Sequence, residues 1–205
     1  MYVYLHSTLK AKSLEELVSQ ALPGSEITVF SRVKDLEDAM QAKPPGALLS
    51  YPPVHAKFQL TPALRGLAKQ KDWEPYVSMS VGKALSKAEL AGKTIGVLDT
   101  LGRKETTDHV TAILGGISDF KLKRVIKLED MLPLLQFGAA EALILPASAA
   151  AEIKSRSQQE LVVSEIEGAR AELPAVGGSL ASALKDRFIG MDSKVKAALG
   201  VESWR

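Results

Sequence analysis

The chain has 205 residues, of which 46% are hydrophobic and 24% are charged, and its formal net charge is +2. This is ordinary globular composition, and the length suits one domain or two small ones. The 26 basic and 24 acidic residues are too evenly balanced for the single-sign field of a nucleic-acid or acidic-membrane binder. We therefore expect no nucleic-acid partner.

The sequence contains no cysteine, which excludes thiol catalysis, disulfide bonds and cysteine-ligated metal. No apolar run approaches the roughly 20 residues of a membrane-spanning helix, so we expect no membrane insertion in this chain. Met1 leads directly into the strand-like residues 2–5, without a basic and then apolar signal region. Either the protein is cytoplasmic, or an export signal has been removed.

The first 53 residues predict a βαβαβ unit. Its elements, in chain order, are a strand over residues 2–6, a helix from Ser13 to the Pro23–Gly24 stop, a strand over 26–30, a short helix over 34–41 and a strand over 47–49. Ser13 is a candidate N-cap followed by acidic residues, and the third strand stops at residues 50–53, which include two prolines.

The same order of elements returns after Gly92. The predicted elements are a strand over residues 93–98, a helix over 105–114 that ends at Gly115–Gly116, a strand over 121–126, a helix over 128–137 and a strand over 142–145 halted at Pro146. Two units of this kind predict an α/β protein with parallel, doubly wound sheets, and such sheets bind ligands at the carboxyl ends of their strands. One continuous Rossmann-like sheet is the alternative, but no G-x-G-x-x-G follows the first strand, so we expect no dinucleotide and no other cofactor.

Several segments, taken in order, resemble one branch of the ABC-transporter substrate-binding proteins, which have the type II periplasmic-binding-protein fold. The branch binds phosphate, phosphite and phosphonate. The segments are a strand and aromatic turn over residues 47–56, a crossing strand over 76–81, a leucine-x-Gly-Lys entry into a second lobe over 88–97, and a carboxyl-terminal ending over 173–174 and 192–201.

The resemblance implies two lobes, each a doubly wound sheet with flanking helices, and a ligand cleft between them. Residues 1–81 plus 161–205 would form the first lobe and residues 82–160 the second, with hinge crossings near 76–92 and 148–165. A monomer in the periplasm or outside the cell, partnered by an ABC permease, is implied as well, although a cytoplasmic location stays open.

The loop over residues 99–107 departs from the phosphonate binders, whose equivalent loop is a short run of serines and threonines before a glycine. Here the loop keeps hydroxyl groups at Thr100, Thr106 and Thr107 and adds Arg103 and Lys104. A helix amino terminus with an added cation favours a small anionic or polar ligand. The competing interpretation is that Thr106 caps the helix and that the two cations are solvated.

The remaining candidate ligand residues follow other predicted strands. They are Ser7 and Thr8 after the first strand, Ser50 and Tyr51 after the third, Ser78 on the polar face of the crossing strand, and Ser148 after the last strand of the second unit. Tyr51 would stack on a ligand or hydrogen-bond to it, unless it only packs the turn.

The histidines, His6, His55 and His109, lack H-x-x-x-H and H-E-x-x-H spacing, so we expect no metal site. Without a cysteine or a G-x-S-x-G motif, no nucleophile stands out, and we expect no enzyme.

Two alternatives remain open. One is an enzyme on the same two-lobed fold, of the phosphoribosyltransferase-like or menaquinone-pathway-like kind, in which Asp99 would act as a base. The other is a ligand-sensing regulatory domain that acts through a partner protein.

Overall fold

The computed structural model describes residues 1–7 and 9–205, and the chain divides into two compact units. The first unit consists of Met1–Trp73 and Glu172–Arg205, and the second consists of Glu74–Ala171. The chain therefore leaves the first unit once and returns to it once.

The first unit contains these elements before the chain leaves it: strand β1 (Tyr2–Tyr4), helix α1 (Ala11–Ala21), β2 (Thr28–Phe30), α2 (Val33–Ala42), β3 (Leu48–Ser50), α3 (Pro52–Lys57) and β4 (Pro62–Leu67). The second unit contains β5 (Trp73–Val81), β6 (Thr94–Leu98), α4 (Arg103–Ile113), β7 (Lys121–Val125), α5 (Met131–Gln136), β8 (Ala142–Pro146), α6 (Ala147–Arg156) and β9 (Leu161–Glu172). On its return the chain adds β10 (Ala175–Gly177), α7 (Lys185–Ile189), α8 (Ser193–Ala198) and β11 (Ser203–Trp204) to the first unit.

The sheet of the first unit has the strand order β11-β4-β10-β3-β1-β2 within the described residues. Strand β1 pairs in parallel with both β2 and β3, as the predicted βαβαβ order requires. Strands β10, β4 and β11 extend the sheet on the other side in antiparallel pairings. Because β10 lies between β3 and β4, the carboxyl-terminal segment supplies an inner strand of this sheet.

The core of the first unit forms because its helices present apolar residues at helical spacing to the sheet. Leu14 and Val18 lie four residues apart on α1 and are both buried against it. Phe188 of α7 and Trp204 of β11 close the core with an edge-to-face contact, their ring centroids 5.0 Å apart. All three residues of β3 are buried, as expected for a strand covered on both faces.

The sheet of the second unit has the order β7-β6-β8-β5-β9 in the part of the chain that the structure describes. Strands β7, β6 and β8 are parallel, whereas β5 runs antiparallel to β8. Alternate residues of β5 point to opposite faces, so that Tyr76 packs with α4 on one side while Val77 and Met79 pack with α5 and α6 on the other.

The observed unit boundaries differ from the predicted lobe boundaries. Residues 74–81 and 161–171, which the sequence assigned to the first lobe, lie in the second unit. The physical reason is backbone pairing, because β5 and β9 are the last two strands of the second sheet.

The predicted fold class is confirmed: each unit is a sheet flanked by helices. The predicted parallel pairing is found at the centre of each sheet, and both sheets also carry antiparallel strands beside that centre. Among the described residues, no helix combines the length and apolar character needed to cross a bilayer.

Candidate functional site

The carboxyl ends of β1 and β3 lie side by side in the first unit, because the two strands are parallel neighbours. We call the residues that follow them, 5–7 and 50–51, the first carboxyl edge. This edge holds three of the predicted ligand residues: Ser7, Ser50 and Tyr51. Thr8, the fourth, lies outside the described residues.

Ser50 is fully buried, and its hydroxyl donates a hydrogen bond of 2.8 Å to the carbonyl of Tyr4. That bond joins the ends of β3 and β1 and uses the only proton that the hydroxyl can donate. Ser7 is half-buried, and its hydroxyl oxygen accepts a bond of 3.1 Å from the amide of Leu9. Both hydroxyls therefore shape the edge itself.

Tyr51 belongs to a small group of aromatic rings at this edge, which we call the aromatic cluster (Tyr4, His6 and Tyr51). The hydroxyl of Tyr51 accepts a hydrogen bond of 3.2 Å from the amide of His6. The ring of His6 stacks on Tyr51 with 6.0 Å between centroids and meets Tyr4 edge-on at 5.7 Å. Tyr51 is therefore held in one orientation from two sides.

His6 also belongs to this edge and was not among the predicted ligand residues. The available signal was the alternation of Tyr2, Tyr4 and His6, because side chains two apart along a strand point to the same face.

In the second unit, the parallel strands β6 and β8 end at one edge of the sheet. We call the residues that follow them, 99–107 and 147–148, the second carboxyl edge. It holds five predicted ligand residues: Thr100, Arg103, Thr106, Thr107 and Ser148. The carboxylate of Glu74 in β5 also reaches this edge through Ser148.

Asp99 and Thr106 fix the loop that joins β6 to α4. A carboxylate oxygen of Asp99 accepts hydrogen bonds from the amide of Gly102 at 3.1 Å and from the hydroxyl of Thr106 at 2.9 Å. The Thr106 hydroxyl in turn accepts a bond of 3.3 Å from the amide of Leu101. Thr106 is buried, so its hydroxyl bonds within the loop. Asp99, which would act as a base if the protein were an enzyme, takes part in the same hydrogen-bond network.

Helix α4 begins at Arg103, two residues before the predicted start, and Thr106 is therefore not its N-cap. The N-cap is Gly102, whose φ of 92° and ψ of 170° lie in a region that only glycine adopts readily. Among the described residues, the N-cap makes no side-chain capping hydrogen bond to the helix, and the carboxylate of Asp99 bonds to the amide of Gly102 itself.

Three side chains of the first turns of α4 differ in what they do. Arg103 is exposed and makes no ion pair with a residue of the described ranges. Lys104 pairs with Asp108 at 2.9 Å, and this hydrogen-bonded partner raises the pKa of the lysine. The hydroxyl of Thr107 donates a bond of 3.0 Å back to the carbonyl of Arg103. Both cations are exposed, and Arg103 is the one without an ion-pair partner in the described ranges.

Thr100 lies half-buried in the same loop, where its amide donates to the carbonyl of Leu98 at 3.1 Å. It remains within the loop that the sequence singled out.

Ser148 lies in the first turn of α6, where it meets the carboxylate of Glu74. The amide and the hydroxyl of Ser148 each donate a hydrogen bond of 2.7 Å to that carboxylate. Glu74 therefore caps α6, and the amino end of this helix already holds a negative charge. No local pattern predicts this pair, because its members are 74 residues apart.

Ser78 does not join this edge. Its hydroxyl is buried inside the second unit and donates to the carbonyl of Leu85 at 2.9 Å. The polar face of β5 thus meets protein, because Ser80 likewise donates to the carbonyl of Lys83.

Tyr76 of β5 and His109 of α4 form a polar contact, with 3.0 Å between the hydroxyl oxygen and Nε2. Burial lowers the pKa of His109. In the described part of the chain, no three histidine, aspartate or glutamate side chains are grouped so that they could hold a metal ion.

Comparison with known proteins rests on structure, since no family model matches the sequence and no curated protein matches it. The chain resembles Tv2483 bound to L-arginine, with a TM-score of 0.68 and 10% identity over 100% of this chain and 92% of the other. It also resembles the VFT2 domain of Bordetella pertussis BvgS, with a TM-score of 0.66 and 12% identity over 97% and 91% of the two chains. A third similar structure is the substrate-binding protein of an amino acid ABC transporter, with a TM-score of 0.59 and 16% identity over 97% and 90%.

At these identities the likeness concerns the fold, and it extends over nearly the whole of each chain. The two α/β units correspond to the two lobes of these proteins. The chain therefore has the fold of the periplasmic substrate-binding proteins.

Proposed function

We propose that the chain is a solute-binding protein that holds a small polar ligand with an anionic group, and that it delivers this ligand to an ABC permease. The observation that carries the proposal is the match to substrate-binding proteins along nearly the full length of both chains. In this proposal the protein works in the periplasm and is not an enzyme.

The amino end of α4 is the proposed place for the anionic group. Three features of the described residues support it: the N-cap makes no side-chain capping hydrogen bond, the first residue of the helix is the exposed Arg103, and the Asp99 network holds the preceding loop in place. A helix amino end and a guanidinium both favour an anion, and the guanidinium can bind a carboxylate or phosphate through two parallel hydrogen bonds.

The amino end of α6 is less suited to an anion, because the carboxylate of Glu74 already occupies it. A ligand anion there would meet a like charge at short range. Both helix amino ends at the second carboxyl edge therefore lie near a carboxylate, Glu74 at α6 and Asp99 at α4, and α4 differs in that the exposed Arg103 adds a cation.

On the first unit, we propose that Tyr51 contacts the ligand through its ring. The aromatic cluster holds this ring in a fixed orientation, so little rotamer entropy is lost on binding. Ser7 belongs to the same proposed surface, whereas the hydroxyls of Ser50 and Ser78 are engaged inside the fold.

The chemical class of the anion divides into two candidates. An amino acid is favoured by the structural neighbours, one of which is bound to L-arginine and another of which belongs to an amino acid transporter. Phosphate or a phosphonate is favoured by the sequence resemblance alone. Both candidates present an oxyanion to α4.

A ligand-sensing domain is the second candidate function. The fold, which the chain also shares with 91% of the VFT2 domain of BvgS, does not by itself distinguish a sensing domain from a transport protein. The ligand site would be the same in both functions, and only the partner would differ.

The proposal is tested by a thermal-shift screen of the purified protein against the common amino acids, phosphate, phosphite, methylphosphonate and sulfate. A ligand that binds the folded state raises the melting temperature, and at 100 times its Kd it stabilises by about 2.7 kcal/mol. Calorimetric titration of any hit then gives the Kd. Absence of stabilisation by every compound at millimolar concentration would contradict the proposal.

Arg103→Ala tests the assigned position of the anion. Loss of one charge-assisted hydrogen-bonding group is worth about 1.5–3 kcal/mol, so we expect the Kd of the hit to rise about 10- to 100-fold. Lys123→Ala is the matched control, because Lys123 is an exposed cation on β7, remote in sequence from α4. Equal weakening by both variants would contradict the assignment to α4.

A further inference from the structure

His55 of α3 is a fully buried histidine in the first unit, and the ligand proposal assigns it no role. Its Nε2 lies 3.0 Å from the carbonyl of Ala175 in β10 and donates to it, so the neutral ring carries its proton on Nε2. Nδ1 is buried and has no hydrogen-bond partner among the described residues. The ring thus joins α3 to the inner strand of the first sheet through a single bond.

The surroundings of the ring leave it no room to move. A Cβ on Gly177 of β10 would lie only 2.9 Å from Nδ1 of His55 and 3.0 Å from the carbonyl oxygen of Thr61. The glycine is therefore required by the close approach of the imidazole. A protonated ring could not turn toward solvent without displacing β10 or α3.

The charged groups near the ring do not favour a second proton. Strands β3 and β10, which flank it, contain no charged side chain. Arg65 of β4 repels a charged imidazole, and Lys57 of α3 is paired with Glu37 of α2 at 2.9 Å. Burial lowers the pKa of His55, and this effect outweighs the carbonyls of Ala175 and Ser50, which favour the charged form.

The position of His55 connects this chemistry to the first carboxyl edge. Helix α3 follows Tyr51 directly, and the amides of Val54 and His55 both donate to the carbonyl of Tyr51, at 2.9 and 3.1 Å. A displacement of α3 therefore carries the Tyr51 turn with it.

We propose that His55 is a pH-sensitive contact. In its neutral form it holds α3 and the Tyr51 turn against β10, and its protonation releases them. The release is a local opening of the first unit, which comes before global unfolding. A consequence for ligand affinity rests on the proposed function, because it requires Tyr51 to contact the ligand, but the opening itself does not.

The expected pH dependence follows from the direction of the pKa shift. The folded-state pKa of His55 lies below the ordinary value of 6.5, so the open form binds a proton first as the pH falls. Above pH 6.5 His55 is neutral in both forms, and the closed form is most stable relative to the open form. Below pH 6.5 the equilibrium constant for opening rises, by at most about tenfold for each pH unit. The loss stops once the closed form is itself protonated.

The test combines an NMR titration of the histidine C2–H signals with amide exchange, both on the full chain without ligand. Assignment of the His55 signal comes from its loss in His55→Gln, whose side-chain amide can still donate toward Ala175. We expect His55 to titrate below pH 6.5, and the protection factors of the Val54 and Phe58 amides to fall between pH 7.5 and pH 5. In His55→Gln these factors should be the same at both pH values.

His109→Gln is the matched control, because it removes a half-buried histidine that lies in the other unit. It should leave the pH dependence of the α3 amides unchanged. Titration of His55 at or above pH 6.5 in the folded protein, or constant protection of α3 in the wild-type chain, would overturn the proposal. If His55→Gln does not fold, the wild-type titration and exchange decide the matter, with the His55 signal assigned by through-bond correlation.

Discussion

The two carboxyl edges hold their polar side chains by different means. On the first, the partners are backbone groups and aromatic rings: Ser50 donates to the Tyr4 carbonyl, and Tyr51 accepts from the His6 amide. On the second, the partners are carboxylates: Asp99 fixes the loop before α4, and Glu74 caps α6. The hydrogen bonds that hold the first carboxyl edge together therefore join neutral groups. Those of the second carboxyl edge involve carboxylates, which lie on the same edge as the exposed Arg103.

Tryptophan fluorescence gives a signal for the first unit through Trp204, which is buried in the core of that unit. The other tryptophan, Trp73, lies at the boundary, as the last residue of the first unit before the crossing and the first residue of β5. Far-UV circular dichroism reports on both units, so a difference between the two signals shows which unit a substitution affects.

The largest effect is expected from Gly177→Ala in the first unit. Its Cβ would meet a trapped imidazole and a backbone carbonyl, so we expect a loss of about 2–3 kcal/mol in the unfolding seen by tryptophan fluorescence. The matched change in the second unit is Gly96→Ala, whose Cβ would meet side-chain methyl groups of Leu134 and Leu143 and no backbone carbonyl within that distance. We expect Gly96→Ala to lower the free energy of unfolding by about 1 kcal/mol. A loss equal to that of Gly177→Ala would show that the surroundings of Gly177 yield as easily as those of Gly96.

Asp99→Ala should have the next largest effect, and it should act on the second unit. It leaves the buried Thr106 hydroxyl and the Gly102 amide without their acceptor, which costs about 1–3 kcal/mol. Asp99→Asn keeps an acceptor oxygen and should cost less than half as much. Urea unfolding followed by circular dichroism measures both, and the difference between them tests whether the charge or the acceptor matters.

Ser50→Ala and Ser148→Ala compare a buried serine with an exposed one. Ser50→Ala leaves the Tyr4 carbonyl without its donor in a buried place and should cost about 1 kcal/mol. Ser148→Ala removes an exposed hydroxyl but keeps the hydrogen bond from the backbone amide of residue 148 to Glu74. We therefore expect a loss of about 0.5 kcal/mol in the free energy of unfolding. Thermal unfolding of the two variants gives this order, and the reverse order would contradict the assigned roles.

The smallest effect on stability is expected from Arg103→Ala. An exposed side chain without an ion pair in the described residues changes stability by at most about 0.5 kcal/mol. A loss well above that value would mean that Arg103 stabilises α4, and any weaker ligand binding by the variant would then need another explanation.

The parallel centres of both sheets could be predicted from the sequence because most of their strands are short and apolar, and because β1, β2, β6 and β7 are each followed by a predicted helix. Strands β6 and β8, for example, lie within one residue of their predicted limits. The repeated βαβαβ order then led to two units without any structural information.

Other elements followed from tertiary contacts that the sequence does not display. Strand β4 starts at Pro62 and contains Gly66, a composition that argues against a strand. Gly66 is required because a Cβ there would meet Val201 and the carbonyl of Pro174, both from the end of the chain. Helix α3 was missed for a related reason: Pro52 and Pro53 predicted a stop, although prolines are well suited to a first helical turn.

The candidate site was predicted as a set of positions but not as a set of roles. The loop over residues 99–107 does lie at the end of β6, as expected from the strand pattern. The hydroxyls of Ser50, Ser78 and Thr106 are buried and bonded within the fold. Burial of this kind depends on neighbours distant in sequence, such as Tyr4 for Ser50, and no local pattern reports it.

The placement of β10 between β3 and β4 has a consequence for synthesis on the ribosome. The second unit is one uninterrupted segment, Glu74–Ala171, and its sheet needs no later residue. The first unit, although it contains the amino terminus, lacks an inner strand until residues 175–177 have emerged. The second unit can therefore fold first, although its synthesis begins later. The first unit stays incomplete until residues 175–177 have been synthesised.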